Sequence, residues 1–463
     1  MGESRNLRKG ERKVKKILIA NRGEIALRII HTCKQMGIET VAVYSDADAE
    51  LPYVQAATKA RRIGEPPVQK SYLNVEELLR ISHEEKVDAI HPGYGFLSEN
   101  SAFAKRAIDE GFCFIGPSPE IISMMGDKIA ARAAMKEAGV PVVPGSQGDV
   151  TSVEEACKVA SLIGYPVMLK ASGGGGGIGM VRCDNEEAVK QVYASTKARA
   201  KAYFGQEGMF IEKLITNAKH IEVQVFGDQH GNVVHLFERD CSVQRRNQKV
   251  IEEAPALSLK ESTRQAMQNQ AVQAAKAIGY YNAGTVEFIV DEDENFYFLE
   301  MNTRLQVEHP ITEQIAGVDL VKWQILAARG EKLPRVQEEI AANNYAIEFR
   351  IYAEDPFTFL PAPGKITGYH LPERTYARVD SGYSDMNTVT PFYDPMIAKV
   401  IITGRTRSNA IELAKSYFTE AVVEGIKTNI PLFKQLLNEE LYEKGTYNTS
   451  LLSTVLNKGG APQ

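Results

Sequence analysis

The 463-residue sequence predicts a mixed fold, α/β in its first third and α+β beyond it. In the first third, short apolar runs alternate with amphipathic helical segments, a pattern typical of a doubly wound parallel sheet. Further along the chain the apolar runs become longer and alternate with polar residues, which indicates an antiparallel sheet. With 44% hydrophobic and 24% charged residues, the composition is that of an ordinary globular protein of two to four domains.

Four strands are predicted in the first third, at "KILIA", "ETVAVYS", "VDAIHPG" and "FCFIGPSP". Between the first two, "NRGEIALRIIHTCKQMG" predicts an amphipathic helix that ends at Gly37. The glycines of a G-x-G-x-x-G dinucleotide motif are absent from "ANRGEIAL", so that kind of site is excluded after the first strand. Ligands can still bind at the strand ends, where such sheets open.

The middle of the chain begins with the predicted helix "DKIAARAAMKEAG". A compact unit follows, made of the helix "SVEEACKVASLIG", the strand "YPVMLKA", a glycine run, the helix "NEEAVKQVYASTKARAKAYF" and the strand "MFIEKLI". The antiparallel strands are predicted at "HIEVQVFGD", "NVVHLFERD" and "TVEFIVDEDENFYFLEMN". The last segment starts near Asn344 and contains "AIEFRIYAED", "FYDPMIAKVIITG" and a final pair of helices.

Charge and cysteine usage exclude several function classes. The formal net charge of −5 gives no reason to expect nucleic-acid or membrane partners, and no stretch has the length of a membrane span. The five scattered cysteines are typical of reduced thiols, which predicts a cytoplasmic protein. Residues 1–16 form a basic polar tail without the apolar core of a secretory signal, and this tail is expected to be disordered.

Five consecutive glycines, Gly173 to Gly177, follow the predicted strand that contains Lys170. Ordering glycine costs more backbone entropy than ordering any other residue, so the run indicates a special conformational requirement. It lacks the Gly-Lys-Ser/Thr sequence of a P-loop, and its place inside a strand–turn–helix unit argues against a linker between domains. Two interpretations remain open: a hinged cradle of backbone N–H groups for an anion, or an exposed hairpin.

The stretch "TVEFIVDEDENFYFLEMN" predicts two strands joined by an acidic turn. Glu300 and Asn302 share a face of the second strand because side chains alternate along it. Glu287 on the first strand joins that face only if the loop has four or six residues. Two carboxylates and an amide oxygen then form a site suited to Mg²⁺. A solvent-facing acidic hairpin is the alternative, and the apolar neighbours favour the metal site.

The next segment, "TRLQVEHP", contains Arg304, Gln306 and Glu308. In an extended conformation, alternation would point all three side chains the same way. A cation, an amide and a carboxylate that converge can hold a small anion and also deprotonate it. An exposed polar strand is the alternative, and the position of the triplet directly after the predicted metal site argues against it.

The remaining charged residues are less specific. The cluster "ERDCSVQRRNQKVIEEAP", with Arg239 and Lys249, is a charge run of the kind that usually forms a solvated face. Lys128 and Lys170 are separate lysines that can reach phosphates as point charges, although single lysines usually face solvent. His220 is either a ligand contact or an ordinary residue at a strand edge.

Taken together, these motifs resemble those of the biotin carboxylases, within the ATP-grasp superfamily. The resemblance covers nearly the whole chain beyond the basic tail and rests on "IANRGEIALRII", "AIHPGYGFLSEN", "MGDK", "LKASGGGGG", "RDCSVQRRNQK", "FLEMNTRLQVEHP", "AEDP" and "YDPMIAK", which occur in the family's order. It implies an N-terminal biotin carboxylase domain over 17–126, an ATP-grasp domain over 127–343 with a mobile lid at about 142–214, and a C-terminal mixed subdomain over 344–463. The glycine run is then the tip of the lid that closes over ATP phosphates.

The resemblance also implies a role for each matching residue. A hinge from Glu212 to Ile215, which includes Lys213, would read the adenine. The other implied ATP contacts are Lys128, Lys170, Gly176, Gly177, His220, Gln244, Asn247, Glu287 and Glu300. The implied metal ligands are Glu287, Glu300 and Asn302, and the implied bicarbonate pocket consists of Lys249, Arg304, Gln306 and Val307. The implied catalytic residues are Lys249, Arg304, Glu308 as general base, and Arg350, which contacts biotin and steadies its enolate.

Three positions depart from the pattern of some relatives. Asn247 stands where some carry His, so a ribose or phosphate contact there is not assumed. Ile178 stands where some carry Arg after the glycines, so a basic contact from the lid is not assumed. Tyr352 replaces an Asn, and nothing in the sequence explains this change.

The implied reaction has two stages. Glu308 deprotonates bicarbonate, which attacks the γ-phosphorus of Mg-ATP (or Mn-ATP) to give carboxyphosphate. Carboxyphosphate breaks to CO₂ and phosphate in a closed, dry site. The phosphate takes the ureido proton of biotin, and the enolate attacks CO₂. Arg304 and Arg350 offer positive charge where negative charge develops.

The implied partners follow from the absence of a Met-Lys-Met biotinyl site in the sequence. Biotin is expected on a separate biotin carboxyl carrier protein, with carboxyl transfer on another subunit, in a homodimeric biotin carboxylase of acetyl-CoA carboxylase and fatty acid biosynthesis. Propionyl-CoA and pyruvate carboxylases are the alternative settings. An ATP-grasp carboxylate–amine ligase would not need the Arg304–Gln306–Glu308 triplet. A non-catalytic nucleotide-binding subunit would lack a metal ligand or the base.

Overall fold

The structure is a computed structural model that describes residues 13–172, 179–204 and 207–458. Its N-terminal region alternates strands and helices as the sequence predicts. The elements are β1 Lys16–Ile19, α1 Gly23–Gln35, β2 Glu39–Ser45, α2 Pro52–Ala56, β3 Lys59–Gly64, α3 Val75–Glu84, β4 Ala89–His91, α4 Ser101–Asp109, β5 Cys113–Phe114 and α5 Pro119–Gly126.

These five strands form one parallel sheet in the order β3-β2-β1-β4-β5, which confirms the predicted doubly wound class. The helix α1 ends at Gln35 and is followed by Met36 and Gly37. Gly37 has a left-handed φ of +67°, which favours glycine after a helix. The strand β3 was not predicted. It lies at the edge of the sheet, and its charged sequence "KARRIG" has no alternation of apolar and polar residues that would mark a strand. Its arginines Arg61 and Arg62 form ion pairs outside the core.

The next region contains a small separate unit. The helix α6 Lys128–Glu137 precedes this unit and packs in a different apolar core. The elements of the unit are α7 Val153–Ile163, β6 Val167–Ala171, β7 Met180–Cys183, α8 Glu186–Phe204 and β8 Met209–Lys213. The strands form an antiparallel sheet in the order β7-β6-β8, and the unit has its own apolar core around Val167, Leu169 and Ile211. The strand β7 was not predicted, because it is short and only Cys183 is buried within it.

A long antiparallel segment with three helices follows. The elements are β9 Lys219–Gly227, β10 Val233–Arg245, β11 Gln248–Ala254, α9 Glu261–Ala277, β12 Asn282–Val290, β13 Phe296–Asn302, α10 His309–Ala316 and α11 Leu320–Ala328. The predicted antiparallel strands are therefore present, and β10 continues well beyond the predicted "NVVHLFERD" to Arg245.

The C-terminal region completes the same large sheet. Its elements are β14 Tyr345–Tyr352, β15 Gly364–Lys365, β16 Gly368–His370, β17 Ala377–Ser381, β18 Thr388–Val389, β19 Met396–Gly404, α12 Arg407–Glu420, β20 Val422–Glu424, α13 Ile430–Leu436, α14 Glu440–Glu443 and α15 Leu451–Lys458. Four helices stand where a final pair was predicted. Turns divide this helical stretch, including one after α14 at Gly445, which has a φ of +67°.

The large sheet has eight strands in the order β13-β12-β9-β10-β11-β14-β19-β17. The pairing of β11 with β14 joins the middle of the chain to its C-terminal region. The expected boundary between residues 343 and 344 therefore falls between strands of one continuous sheet. Among the described residues, no helix combines the length and apolar character that crossing a bilayer requires.

This sheet order positions the polar residues of interest. Glu287, Glu222, Lys249 and Arg350 lie on β12, β9, β11 and β14, four of the five consecutive strands from β12 to β14, and α10 begins directly after Glu308. Residues far apart in sequence thus lie close together in the middle of one sheet.

Candidate active site

The acidic hairpin has the predicted facing carboxylates, but not by the predicted route. Val290 pairs with Phe296, so five residues separate the strands, and the expectation of a loop of four or six residues is wrong. A β-bulge restores the alignment, because Glu287 pairs with Glu300 while Phe288 pairs with Phe298. The extra residue shifts the alternation of side chains by one position and brings both carboxylates to the same face.

Glu287 is buried and fully hydrogen-bonded. Its Oε1 accepts from Lys249 Nζ at 2.9 Å, from Gln306 Nε2 at 2.9 Å and from Asn302 Nδ2 at 2.7 Å. Its Oε2 lies 2.7 Å from His220 Nε2. Burial alone would raise the pKa of Glu287, but the nearby Lys249 and His220 hold it well below its usual range. This carboxylate is therefore ionised at neutral pH.

Glu300 contrasts with Glu287. It makes no hydrogen bond or ion pair with the described residues, and it is exposed to the open cleft. Its pKa is raised by desolvation and by the facing carboxylate of Glu287. Two facing carboxylates, one of them without a protein partner, together with the amide of Asn302, match the oxygen donors that Mg²⁺ prefers.

Lys249 is the centre of the polar network. Its Nζ donates to Glu222 at 2.5 Å and to Glu308 at 2.7 Å, in addition to Glu287, and lies 3.5 Å from Gln306 Oε1. Burial would lower the pKa of Lys249, but the surrounding carboxylates raise it well above its usual value. The ammonium group is therefore a permanent cation inside the site.

Glu308 is buried between two cations. Its Oε1 accepts from Lys249, and its Oε2 accepts from Arg350 Nη2 at 2.9 Å. Burial would raise the pKa of Glu308, but Lys249 and Arg350 lower it far below the usual value for a glutamate. Arg350 also lies 2.5 Å from Glu252. The network thus holds a carboxylate in its basic form, next to fixed positive charge.

The triplet Arg304, Gln306 and Glu308 does not point one way as expected for an extended segment. Gln306 and Glu308 meet at Lys249, whereas Arg304 donates to Glu99 at 2.7 Å. The reason is that Glu308 occupies the N-cap of α10, whose first turn contains a proline, so the chain turns before the triplet is complete. Arg304 also donates to Asn302 Oδ1 at 3.0 Å.

A cavity of about 330 Å³ lies beside the acidic hairpin. Lys170 donates to Glu212 at 2.5 Å within it, and burial lowers the pKa of Lys128. Lys213 is directed away, because its Nζ donates to the carbonyls of Gly164 and Tyr165. The implied ATP contacts that line the cavity are Lys128, Lys170, Glu212, Ile215, His220, Gln244, Asn247, Glu287 and Glu300.

The glycine run and its neighbour Ile178 lie outside the described residues. The predictions for Gly176 and Gly177 therefore stay predictions. Within the same cavity, Gln244 Nε2 donates to His220 Nδ1 at 2.7 Å, which directs the His220 Nε2 proton toward Glu287. His220 is thus a buried, fully bonded residue of the site and not a residue at an exposed strand edge.

A second cavity, of about 320 Å³, lies on the other side of Glu308. Its walls include Arg304, Val307, Arg350 and Tyr352, which face Tyr94 and neighbouring residues of the N-terminal region. The Arg350 guanidinium therefore contacts Glu308 and lines this cavity at the same time. The guanidinium of Arg245 lies over the ring of Tyr352, with its Cζ 5.1 Å from the ring centroid.

Several residues of the network were not predicted. Glu99 and Glu222 bond to Arg304 and Lys249, and no local pattern marks them. Glu252, which pairs with Arg350, belongs to the charge run that was predicted as a solvated face, yet it is buried. Arg239 belongs to a charge run, yet it is completely buried. Arg239 pairs with Glu222 on the neighbouring buried strand, and this pairing would have indicated its burial. The pairing can be recognised only when the register of the two strands is known.

Models of known families match most of the chain. "Biotin carboxylase, N-terminal domain" matches residues 13–122, "Carbamoyl-phosphate synthase L chain, ATP binding domain" matches 127–336, and "Biotin carboxylase C-terminal domain" matches 348–454. Biotin carboxylase 2 of Bacillus subtilis is 58% identical over 437 residues, covering 94% of this chain and 98% of that protein. The alpha chain of mouse mitochondrial propionyl-CoA carboxylase is 48% identical over 455 residues, covering 97% of this chain and 62% of that protein.

Solved structures agree with these matches. The biotin carboxylase domain dimer of Hydrogenobacter thermophilus 2-oxoglutarate carboxylase, in complex with MgADP, ADP and bicarbonate, superposes with a TM-score of 0.94 at 46% identity. The match covers 98% of this chain and 100% of that one. Biotin carboxylase from Campylobacter jejuni gives a TM-score of 0.93, also at 46% identity, over 96% of this chain and 99% of that one. On its motifs, its fold and these relatives, the chain belongs to the biotin carboxylase family.

Proposed function

We propose that this protein carboxylates biotin with ATP and bicarbonate, through carboxyphosphate, while the biotin is attached to a separate carrier protein. The observation that carries the proposal is the position of Glu308 between two cavities. Through Lys249 it is connected to Glu287 of the first cavity, and through Arg350 it contacts the second. Such an arrangement suits a reaction that starts at a nucleotide and ends at a second substrate.

The first cavity suits ATP. Lys128 and Lys170 supply positive charge for phosphates, and Glu212 to Ile215 form the side expected to read the adenine. Glu287, Glu300 and Asn302 would hold Mg²⁺, and their oxygen donors suit Mn²⁺ as well. When bound, the ion would neutralise phosphate charge and orient the terminal phosphate for attack. The unpartnered Glu300 carboxylate supports this assignment.

The space around Lys249 suits bicarbonate. Lys249, Arg304, Gln306 and Val307 would bind the anion, since two of them carry fixed positive charge and Gln306 offers an oriented amide. Glu308, held ionised, would accept the bicarbonate proton as general base.

The second cavity suits the ureido ring of biotin. Arg350 would stabilise the negative oxygen that forms when the ring loses its proton, because its guanidinium lines the cavity and is held in place by Glu308. Water exclusion by the lid at about 142–214, with Gly176 and Gly177 over the phosphates, would protect the reactive intermediates.

We place the protein in a cytoplasmic acetyl-CoA carboxylase, as a homodimer that works with a biotin carboxyl carrier protein and carboxyltransferase subunits. In this assignment the protein has three functional units: the N-terminal domain over 17–126, the ATP-grasp domain over 127–343 and the C-terminal subdomain over 344–463. A propionyl-CoA or pyruvate carboxylase is the second candidate, because the relatives include a propionyl-CoA carboxylase alpha chain and a 2-oxoglutarate carboxylase small subunit.

The test is ADP release by the purified chain with Mg-ATP and bicarbonate, with and without free biotin. We expect biotin to stimulate ADP release, and the stimulation to vanish when bicarbonate is omitted. ADP formation that is indifferent to biotin, or that requires an amine and another carboxylate, would identify another ATP-grasp ligase. Assays with purified carrier proteins and acyl-CoA carboxyltransferases would then distinguish the two settings.

A further inference from the structure

Arg239 is completely buried in the large sheet, although its sequence context predicts a solvated face. It lies on β10, where it pairs in register with Glu222 on β9, and the end of α10 covers it. A buried guanidinium is costly unless all its donors are bonded, so its partners indicate why it is there.

The five N–H groups of Arg239 meet five acceptors. Nε donates to Glu222. Nη1 donates to Gln224 Oε1 at 2.7 Å and to Thr312 Oγ1 at 2.8 Å. Nη2 donates to Thr285 Oγ1 at 3.2 Å and to Gln306 Oε1 at 3.2 Å. The guanidinium is thus held by acceptors from two strands, a loop and a helix.

Two of these acceptors belong to the site. Glu222 uses its other oxygen to accept from Lys249, so Arg239 and Lys249 share one carboxylate. Gln306 receives Arg239 on its amide oxygen, which turns its amide nitrogen toward Glu287. Lys249 Nζ is the other cation near this oxygen, at 3.5 Å, so Arg239 makes the shorter of the two contacts that select the amide orientation.

We propose that Arg239 is a positioning residue for bicarbonate, which acts through Gln306 and Lys249. It orients the Gln306 amide together with Lys249 and Glu287, and through Glu222 it sets the place of the Lys249 ammonium. Arg239 itself lies beneath these residues and touches neither cavity. This inference rests on the proposed function, because it assumes that Gln306 and Lys249 bind bicarbonate.

The variant Arg239→Lys keeps the charge but loses the planar fork, so it cannot reach Glu222 and Gln306 together. We expect the KM for bicarbonate to rise at least about tenfold, as expected for the loss of charge-assisted hydrogen bonds. Affinity for ATP, measured directly with a fluorescent nucleotide, should change less than about twofold. Arg239→Met should give a larger effect in the same direction.

Arg264 is the matched control. It is also a buried arginine bonded to a buried glutamate, Glu238, but it lies on α9, away from the site. Arg264→Lys should lower thermal stability without raising the KM for bicarbonate. A second comparison uses Gln306→Ala. Because Arg239 acts partly through Gln306 and partly through Lys249, adding Arg239→Lys to that variant should raise the KM for bicarbonate by a smaller factor than it does in the unmodified protein.

The outcomes are distinguishable. If the unmodified protein shows no bicarbonate-dependent ADP release, the proposed function fails and not this inference alone. If it does, an Arg239→Lys variant with an unchanged KM for bicarbonate overturns the positioning role. It is also overturned if Arg239→Lys raises the KM by the same factor with and without Gln306→Ala. Failure of both Arg239 variants to fold would overturn it too, because Arg239 would then serve folding alone.

Discussion

The carboxylate of Glu308 accepts a hydrogen bond from Lys249 Nζ at 2.7 Å, although 59 positions separate the two residues in the sequence. The contact places a base and a permanent cation side by side in a buried site. A small anion bound beside this pair would be held by Lys249 and deprotonated by Glu308. The predictions below depend on this pair and its immediate neighbours.

Glu308→Gln should abolish bicarbonate-dependent ATP cleavage. A glutamine has nearly the same shape but cannot take a proton, so the rate should fall by about 10²- to 10⁴-fold. ATP binding should persist, since Glu308 does not line the first cavity. The measurement is ADP release at saturating bicarbonate, paired with a nucleotide-binding titration. Unchanged turnover would remove Glu308 as the base.

Glu300→Gln should raise the Mg²⁺ concentration needed for half-maximal activity. The substitution removes a carboxylate that has no partner in the protein, so the metal loses a ligand of full negative charge, for an increase of roughly tenfold. Glu292→Gln is the matched control, because Glu292 is an exposed acid in the turn of the same hairpin. Equal metal titrations for both variants would contradict the hairpin site.

Arg350→Met should separate the two stages of the reaction. The biotin-stimulated rate should fall by about 10²-fold, because no fixed positive charge would remain at the developing enolate. The biotin-independent cleavage of ATP should fall less, since Lys249 still holds Glu308. Arg405→Met, on the exposed surface, serves as control. A loss that is the same with and without biotin would argue against a biotin role for Arg350.

Glu252 should make stability depend on pH. Burial raises the pKa of Glu252 to about 7, although Arg350 lowers it in part. The folded state therefore binds more protons than the unfolded state between about pH 4.5 and 7, so the free energy of unfolding falls as the pH rises through this window and then levels off.

Glu252→Gln removes that titration. Between pH 5 and 7, the stability of this variant should decline less steeply than that of the unmodified protein, by up to about 3 kcal/mol over the window. Urea unfolding at several pH values measures the difference. Glu412→Gln, at an exposed helix position, should leave the slope unchanged. Parallel curves for the Glu252 variant and the unmodified protein would show that Glu252 does not titrate in this range.

Much of this protein could be predicted because local patterns report local structure. The parallel first sheet follows from alternating strand and helix signals, and the antiparallel strands follow from period-two alternation. Alternation also predicts that Glu300 and Asn302 share a face of one strand, but it does not place Glu287 opposite them. The β3 and β7 strands were missed because each has few buried apolar residues and so no period to detect.

The sequence by itself determined which side chains are available and, through the order of its motifs, the family to which the chain belongs. Tertiary structure alone decided that a bulge aligns Glu287 with Glu300, that Arg304 turns to Glu99, and that Arg239 is buried. The physical reason is that alternation along one strand depends only on neighbouring residues. Contacts such as Lys249 with Glu308 depend on the order and register of strands that are distant in the chain.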